Sequence, residues 1–416
     1  MKNETVRDRA VTVEEALKLL SGLSLPPVRD ETLPIEDSYG RVLAEDVYSN
    51  ENLPGFRRST MDGYAVHAPD TFGASEGMPV YLRITGTIKM GFPAHIKISP
   101  GEAAEVPTGG MLPEGSDAVV MYEHTNRVGD DLIEVLRPVA PGENIVREDE
   151  DIREGQLVLK RGHRLRAHDV GALAGLGITR IRVYRRPLVS IISTGDEIVP
   201  PHQPIRHGQV RDINSYNLHG LITENGGIAL KLGIIKDEYA VLKSVLSEAI
   251  EKSDMVLITG GSSVGTRDFA HRVIEELGSP GILFHRVTIK PGKPLIGGMV
   301  KDVPVFGLPG HPVAVTVCFE NFVLPLLRRL TGELIREYLP DRRTVRARLT
   351  HNLSSPVGRE DHIRVRVEEN NGTLLAVPIL GKSGLITTLV EADGVVVIPQ
   401  HSSGLYEGDE VEVRLF

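Results

Sequence analysis

The stretch from Met255 to Leu277 constrains the fold of this chain more than any other part of the sequence. An apolar run ends in Thr-Gly-Gly-Ser-Ser-Val-Gly, and an amphipathic helical pattern follows it and stops at Gly278. This order predicts a strand, a glycine-rich loop and a helix N-terminus. Such a loop exposes backbone N–H groups at the positive end of a helix dipole, which favours a phosphate or another oxyanion. The candidate binding residues of this loop are Gly260, Gly261, Ser262, Ser263 and Gly265.

Strand and helix patterns alternate on both sides of this loop, between Pro187 and Leu330. Apolar strand patterns precede helical patterns at 215–225 and 238–250, and the glycine-rich loop precedes a third helix. Alternation of this kind predicts a parallel α/β sheet, whose ligands bind beyond the carboxyl ends of the strands.

The sequence before this region predicts further domains, because 416 residues exceed the usual size of one hydrophobic core. A capping box at Thr12 and Glu15 predicts an N-terminal helix that ends near Ser21. Short strand patterns between residues 51 and 147 predict a compact β domain. A second helical pattern, at 167–175, is expected to lie next to the N-terminal helix.

The C-terminal part of the sequence returns to strand patterns. Residues 362–367 and 373–379 flank Asn371-Gly372, the kind of dipeptide most typical of a two-residue β-hairpin turn. This part is therefore predicted to form a small β barrel or sandwich.

Composition limits the classes of partner. A net charge of −9 argues against a protein that binds nucleic acids through a broad basic surface, so an anionic ligand would be held by a local group of basic side chains. No apolar run approaches the ~20 residues that a membrane-spanning helix needs. The N-terminus has no apolar signal-peptide core, and the single Cys318 excludes an intrachain disulfide. We therefore expect a cytoplasmic protein with neither a membrane nor a nucleic acid as its partner.

Three acidic residues follow predicted strand ends and form the candidate metal site. Glu197 and Asp237 each follow an apolar strand, and Asp268 lies in the first turn of the helix after the glycine-rich loop. Each acid alone would be explained as a cap of the next element. Acids beside an oxyanion site would repel the ligand unless a divalent cation lay between them, so we expect Mg²⁺, with Asp237 and Asp268 as ligands.

Two lysines and two prolines mark rigid turns near the same edge. Lys290 and Lys293 lie in the sequence Ile-Lys-Pro-Gly-Lys-Pro, where the restricted backbone would preorganise their charges; the alternative is a pair of solvated turn lysines. Pro309 and Pro312 lie in Leu-Pro-Gly-His-Pro, which is typical of a helix start, and the alternative is a tight turn required for packing. Asp62 and Thr108, taken alone, are no more than turn signals.

Eight motifs, in order along the chain, resemble the molybdopterin molybdenumtransferase family, to which the E domain of gephyrin belongs. They are MDGYAV, PTGGMLPEGSDAVV, REDEDI, STGDEI, GGSSVGTRD, IKPGKP, LPGHPV and LGKSGLITTLVEADGVVVIP. The resemblance implies an enzyme of the last step of molybdenum cofactor biosynthesis. Such an enzyme inserts molybdenum from molybdate into adenylylated molybdopterin and releases AMP, aided by Mg²⁺.

The resemblance also implies a fold and an assembly. The chain would be a multidomain α/β plus β protein and an elongated homodimer. Its expected parts are an extended helical segment of residues 1–48 and 148–184, an inserted β domain of residues 49–147, a molybdopterin-binding parallel α/β domain of residues 185–332, and a C-terminal β-barrel domain of residues 333–416.

The family pattern assigns functional roles residue by residue. The implied catalytic and substrate-binding positions are Asp62, Thr108, Asp151, Glu197, Asp237, Asp268, Lys290, Lys293, Arg359 and Ser383. Two positions depart from the commonest pattern: His311 stands where Asn is usual, and Asp393 where Asn is common. Because histidine titrates near neutral pH, His311 is expected to make its turn pH-sensitive.

Three alternatives stay open at this point. The chain could be the adenylyltransferase that makes the substrate, although the additional β domains argue against it. It could be a non-catalytic dimeric scaffold, since a gephyrin-type E domain also docks protein partners. The oxyanion could be tungstate instead of molybdate, and a molybdopterin adenylyltransferase is a further candidate partner.

Overall fold

A computed structural model describes residues 9–260, 264–334 and 343–416, and for residues 264–268 it describes the backbone alone. Within these ranges the chain forms three six-stranded sheets and several two-stranded ones, with helices as a minority. No helix in the described ranges is long and apolar enough to cross a membrane.

The N-terminal helix is Val13–Ser21, and its predicted capping box is present. The Thr12 hydroxyl accepts the N–H of Glu15, whose carboxylate accepts the N–H of Thr12. The buried face of the helix belongs to the core beneath the central sheet. The expectation that helix Ala167–Gly175 lies beside it is therefore wrong, because the apolar face of the N-terminal helix is covered by the central domain.

The helix Ala167–Gly175 instead packs in a small core near the strand Arg180–Tyr184, which pairs with Asp30–Pro34. The short elements of this region and its junction with the insert are the 3₁₀ helix Ile35–Asp37 and the strands Val47–Tyr48, Arg58–Ser59, Ile145–Val146 and Leu157–Leu159. Two distant pieces of the chain thus pair with each other, and the strands of a separate sheet lie between them in the sequence.

The inserted β domain contains the first six-stranded sheet, which we call the insert sheet. Its strands, in spatial order, are Ala118–Met121, Gly63–Val66, Glu102–Val106, Val80–Thr87, Leu132–Val135 and Thr125–Val128. Short 3₁₀ helices lie at Ala68–Thr71 and Tyr122–His124. Fully buried Val66, Ala118 and Ile133 belong to its core, as the strand patterns predict.

The central sheet has the predicted alternation of strands and helices. Its strands, in spatial order, are Ile228–Ile235, Leu188–Thr194, Met255–Gly260, Val303–Leu308, Ile296–Val300 and Pro280–His285. The first four are parallel, and the last two are an antiparallel addition, so the sheet is mixed at one edge. Its helices are Asn214–Glu224, Tyr239–Lys252, Val264–Leu277, Pro312–Cys318 and Leu324–Leu330, the last two joined by a π-helical turn at Phe319–Val323.

The C-terminal strands close into a five-stranded barrel. They are Thr344–Leu349, Glu360–Asn370, Thr373–Pro378, Gly394–Ile398 and Glu410–Leu415. Asn371 and Gly372, with φ of 49° and 79°, form the predicted hairpin turn, whose twist requires positive φ. Short elements elsewhere are Ile198–Val199, Val210–Arg211, Leu353–Ser354, Gly404–Leu405 and the helix Thr387–Val390.

One strand joins the barrel to the central domain. Ile289–Lys290, which follows the central-sheet strand Pro280–His285, pairs in parallel with Glu360–Asp361 of the barrel. This pairing places the predicted lysine turn directly against the barrel wall.

Candidate functional site

A large cavity lies between the carboxyl ends of the central-sheet strands and the barrel, and we call it the central cavity. Its volume is about 1400 Å³, which exceeds the roughly 300–1,000 Å³ typical of sites for small ligands. The sequence-predicted site residues that line it are Glu197, Gly260, Lys290, Lys293, Pro309, Pro312, Arg359 and Ser383. Residues from two separate sheets therefore meet at one site.

The glycine-rich loop begins at the cavity wall. Gly260 has a φ of 122°, and a Cβ atom there would lie 1.8 Å from the carbonyl oxygen of Thr194, so only glycine fits. Gly261, Ser262 and Ser263 lie outside the described residues. Gly265 is in the first turn of helix Val264–Leu277, and the side chain of Asp268, farther along, is outside the described part.

The lysine turn is held by a buried carboxylate of the barrel. Asp361 is fully buried and accepts hydrogen bonds from Arg359 Nε and Nη2, at 2.7 and 3.2 Å, and from Lys290 Nζ, at 3.3 Å. Two cations that line the cavity thus share one anion beneath its wall. This arrangement fixes both side chains at the cavity surface.

Gly292 allows the lysine turn to approach the core closely. A Cβ atom on Gly292 would lie 2.7 Å from Cys318 Sγ, and the φ of this glycine is 127°. Burial raises the pKa of the Cys318 thiol far above its usual value, so this side chain is a neutral packing group. The Cys318 thiol also donates a hydrogen bond to the Gly292 carbonyl oxygen, at 3.7 Å, and so supports the turn from below.

Three basic residues that line the cavity, Arg211, Arg364 and Lys382, were not identified from the sequence. Within the described ranges, the lysine and arginine side chains that line it are Arg211, Lys290, Lys293, Arg359, Arg364 and Lys382. Arg364 lies within a strand pattern that gives no sign of a ligand. Lys382, however, lies beside Ser383 between two glycines, and this glycine-rich turn was a usable signal.

Arg364 is the most buried of these cations. Its side chain donates from Nη2 to the carbonyl oxygen of Gly381, at 2.9 Å, while its Nε has no hydrogen-bond partner in the described structure. Burial lowers the pKa of Arg364 from its ordinary high value, although a guanidinium keeps its charge in proteins. Arg364 thus anchors the segment that carries Ser383.

The turn at residues 309–312 makes the second contact between the central domain and the barrel. The helix Pro312–Cys318 begins at the second proline, as predicted. His311 Nδ1 lies 2.8 Å from Ser383 Oγ, and the N–H of Val313 donates to the Ser383 carbonyl oxygen at 3.1 Å. Ser383 is therefore held on both its side chain and its backbone.

Of the acidic residues predicted at strand ends, Glu197 lines the cavity and Asp237 lies at the end of the neighbouring strand. Glu197 lines the cavity, and the N–H of Asp237 donates to Asp196 Oδ1 at 3.4 Å, so the ends of two neighbouring strands meet there. Asp237 itself does not line the cavity. Asp212, which does, accepts hydrogen bonds from Ser193 Oγ and the N–H of Ser215.

Whether the carboxyl-end edge of the central sheet suits Mg²⁺ depends on the oxygen donors that lie there. No group of three or more carboxylate, histidine or cysteine side chains is placed to hold a metal within the described ranges. Mg²⁺ in enzyme sites commonly uses only one or two carboxylates, with waters and substrate phosphates as its other ligands. The carboxylates of Glu197 and Asp237, which follow adjoining strand ends, are oxygen donors of the kind that such a site uses.

Asp62, Thr108 and Asp151 lie away from the central cavity. Asp62 and Thr108 are exposed at the end of the insert sheet, where Asp62 Oδ1 accepts the N–H and the hydroxyl of Thr108 at 2.8 and 3.1 Å. Asp151 is also exposed, and its N–H donates to the Leu53 carbonyl oxygen where the insert joins the rest of the chain. We call Asp62 and Thr108 the insert-sheet pair.

Three family descriptions match the chain in succession. Residues 11–177 match the MoeA N-terminal region, comprising domains I and II, and residues 190–329 match a probable molybdopterin binding domain. Residues 346–416 match the MoeA C-terminal region, which is domain IV.

Relatives and solved structures agree with these matches over almost the whole chain. A putative molybdopterin biosynthesis protein of Methanocaldococcus jannaschii is 38% identical, over 92% of this chain and 91% of its own length. The molybdopterin molybdenumtransferase of Bacillus subtilis is 34% identical, over 92% and 89%. A crystal structure of the molybdopterin biosynthesis MoeA protein from Pyrococcus horikoshii superimposes with a TM-score of 0.83 at 34% identity, over 98% of this chain and 100% of that one.

Proposed function

Since this chain belongs to the MoeA family of molybdopterin biosynthesis proteins, we propose that it is a molybdopterin molybdenumtransferase. In this proposal it takes adenylylated molybdopterin and molybdate, inserts the molybdenum and releases AMP as the last step of cofactor synthesis. One observation supports the proposal for this chain: among the described residues, six lysine and arginine side chains line the central cavity, against two acidic ones, Glu197 and Asp212. Such a cavity suits a ligand with several phosphates together with a second oxyanion.

In this proposal, the two walls of the cavity bind different parts of the ligand. On the central-domain wall, the loop from Gly260 and the turn with Lys290 and Lys293 would hold the terminal phosphate and the pterin end. On the barrel wall, Arg359 and Ser383 would hold molybdate by a charged and a neutral hydrogen bond. With this arrangement, the oxyanion would lie beside the dithiolene sulfurs of the substrate.

The chemical change needs little covalent participation by the protein. The two dithiolene sulfurs bind molybdenum in place of one oxygen of molybdate, and that oxygen leaves as water with the two thiol protons. Hydrolysis of the phosphoanhydride then consumes one water and releases AMP. Positioning and charge stabilisation are sufficient for such a step. The lysines of the turn would stabilise the negative charge that develops on the separating phosphates.

We propose Mg²⁺ as the accompanying ion, held by Glu197 and Asp237 with Asp268 as a further candidate. When bound, it would supply positive charge to the phosphoanhydride oxygens. The test is a binding measurement with Mg²⁺ alone: Asp237→Asn should weaken Mg²⁺ binding, whereas unchanged binding in this variant and in Asp268→Asn would remove both residues from the site.

The insert-sheet pair and Asp151 fit this proposal only if a second chain is present. They are exposed and do not line the central cavity of their own chain. We therefore propose a homodimer in which the insert-sheet pair of one chain faces the cavity of the other. The proposed compartment is the cytoplasm, where a molybdopterin adenylyltransferase would supply the substrate.

The experiment that tests this function is a measurement of AMP release from adenylylated molybdopterin with Mg²⁺ present. Molybdate and tungstate are titrated separately. Release that requires an oxyanion is the expected result, and the oxyanion that acts at the lower concentration identifies the metal. Tight binding of the substrate without oxyanion-dependent release would contradict an insertase and support a binding protein.

A further inference from the structure

His311 makes a contact whose direction depends on whether its Nδ1 atom carries a proton. Its Nδ1 atom lies 2.8 Å from the hydroxyl oxygen of Ser383, and both residues line the central cavity. The contact joins the central domain to the barrel, and the N–H of Val313 holds the backbone of Ser383 on the same side. The Ser383 hydroxyl therefore has one fixed neighbour, the imidazole, while it borders the cavity.

The proton on this imidazole decides what the hydroxyl can do. When Nδ1 carries no proton, it accepts the hydroxyl hydrogen of Ser383, and that hydrogen is not available to a ligand. When the imidazole is protonated, Nδ1 must donate to Ser383 Oγ, and the hydroxyl hydrogen turns elsewhere. The only change needed is rotation of a hydroxyl group.

The charged side chains that line the same cavity as His311 bear on this coupling. Among the described residues, the lysines and arginines that line it are Arg211, Lys290, Lys293, Arg359, Arg364 and Lys382, and the acidic residues are Glu197 and Asp212. A bound oxyanion adds negative charge to the cavity, so that anion binding and proton binding to the imidazole favour each other.

We propose that His311 is a positioning residue that directs the Ser383 hydroxyl, so that its protonation turns that hydroxyl toward an oxyanion in the central cavity. The inference rests on the proposed function, which supplies molybdate as the oxyanion. It makes oxyanion affinity rise as pH falls, because proton binding to the imidazole and anion binding favour each other. An asparagine at this position can hold Ser383 but cannot titrate.

The test measures binding of micromolar molybdate to the full-length protein by calorimetry between pH 5.5 and 8.5, in buffers of different ionisation enthalpy. The unaltered protein should bind molybdate about tenfold more tightly at pH 5.5 than at pH 8.5, because the protonated imidazole makes a charge-assisted hydrogen bond to Ser383 and frees the hydroxyl hydrogen for the anion. It should also take up a fraction of a proton when molybdate binds. In His311→Asn both the pH dependence and the proton uptake should disappear. His401→Asn, an exposed histidine that does not line the cavity, is the matched control and should keep both.

A rival source of pH dependence is His362, which also lines the cavity and has Glu360 at 3.4 Å. If the pH dependence and the proton uptake persist in His311→Asn, they belong to another group, and the proposal is overturned. Binding of molybdate with a flat pH profile in the unaltered protein would overturn it as well. Absence of molybdate and tungstate binding at every pH would instead reject the proposed function, and this inference with it.

Discussion

The central cavity and the insert-sheet pair differ in charge, in exposure and in how far one chain completes them. The cavity combines residues of two sheets, and three of its basic side chains are anchored from behind: Lys290 and Arg359 by Asp361, and Arg364 by a backbone carbonyl oxygen. Asp62 and Thr108, in contrast, bond to each other on an open surface. Under the proposed function, the cavity of one chain binds the anion, whereas the insert-sheet pair acts only against the second chain of the proposed homodimer.

The largest effect is expected inside the cavity. Lys293→Ala should lower the rate of AMP release by ~100-fold, because it removes a preorganised charge from the transition state. The measurement is the AMP-release assay at saturating substrate. Lys160→Ala, which changes an exposed lysine outside the cavity, is the control and should stay within about twofold of the unaltered rate. If Lys293→Ala releases AMP about as fast as this control, Lys293 is a solvated turn residue with no role in the reaction.

Arg359 should matter for stability as well as for binding. Arg359→Ala leaves the buried Asp361 carboxylate with only the half-exposed Lys290 as a partner, so the free energy of unfolding should fall by ~3 kcal/mol. Denaturant unfolding measures this change. The double variant Arg359→Ala with Asp361→Asn should recover part of the loss, because it removes the buried charge. Arg346→Ala, in an exposed ion pair, should lose less than about 1 kcal/mol; an equal loss in both variants would contradict the buried-anchor account.

A smaller effect, of a different kind, is expected at the insert-sheet pair. Asp62→Ala should lower the rate of AMP release by about tenfold, since its carboxylate holds the backbone and the hydroxyl of Thr108. The affinity for molybdate should remain within about twofold of the unaltered value, because Asp62 does not line the cavity of its own chain. Asp131→Ala, on the same sheet, is the control for both measurements. A loss of molybdate affinity in Asp62→Ala would show that the insert-sheet pair takes part in oxyanion binding, which this account does not predict.

The smallest effect is expected in the unit that carries the insert. Burial alone would raise the pKa of Asp169, but Arg166 and His163, at 3.0 and 2.7 Å, lower it well below its usual value. A carboxyl group with a lowered folded-state pKa stabilises the fold above its unfolded pKa, near 4, and loses this contribution as the pH falls.

Asp169→Asn should therefore lower the free energy of unfolding by ~1 kcal/mol at pH 7, since the carboxylate also caps the start of helix Ala167–Gly175. The difference from the unaltered protein should shrink below about pH 4. Thermal unfolding at several pH values measures this trend. Asp30→Asn, in an exposed ion pair with Arg182, is the control and should have little effect at any pH. A difference that stays constant with pH would show that the ionised carboxylate is not the cause.

The fold was predictable where the pattern is local. The N-terminal capping box and the turn at Asn371-Gly372 each lie within a few consecutive residues, and both are present in the structure. The alternation from Leu188 to Leu330 is also present, because each of its strands and helices has its own local pattern. The place of helix Val13–Ser21 was not predictable, because an amphipathic pattern indicates a buried face but not the core that buries it.

The site was predictable to a lesser extent, because its contacts join distant parts of the chain. Lys290 and Asp361 are 71 residues apart, and His311 and Ser383 are 72 apart. The rigid turn identified Lys290 and Lys293, but no local pattern indicated that a barrel strand would pair beside them. Arg364 was missed for a related reason, since an arginine in an alternating strand normally faces solvent.

The most direct test of the contrast is subunit complementation. Lys293→Ala and Asp62→Ala chains are co-expressed with different tags, the mixed dimers are purified, and AMP release is measured. If the site combines the cavity of one chain with the insert-sheet pair of the other, each mixed dimer has one intact site and should retain about half of the unaltered rate. Mixed dimers no more active than the two parent variants, or the recovery of no mixed dimer at all, would contradict a site shared between chains.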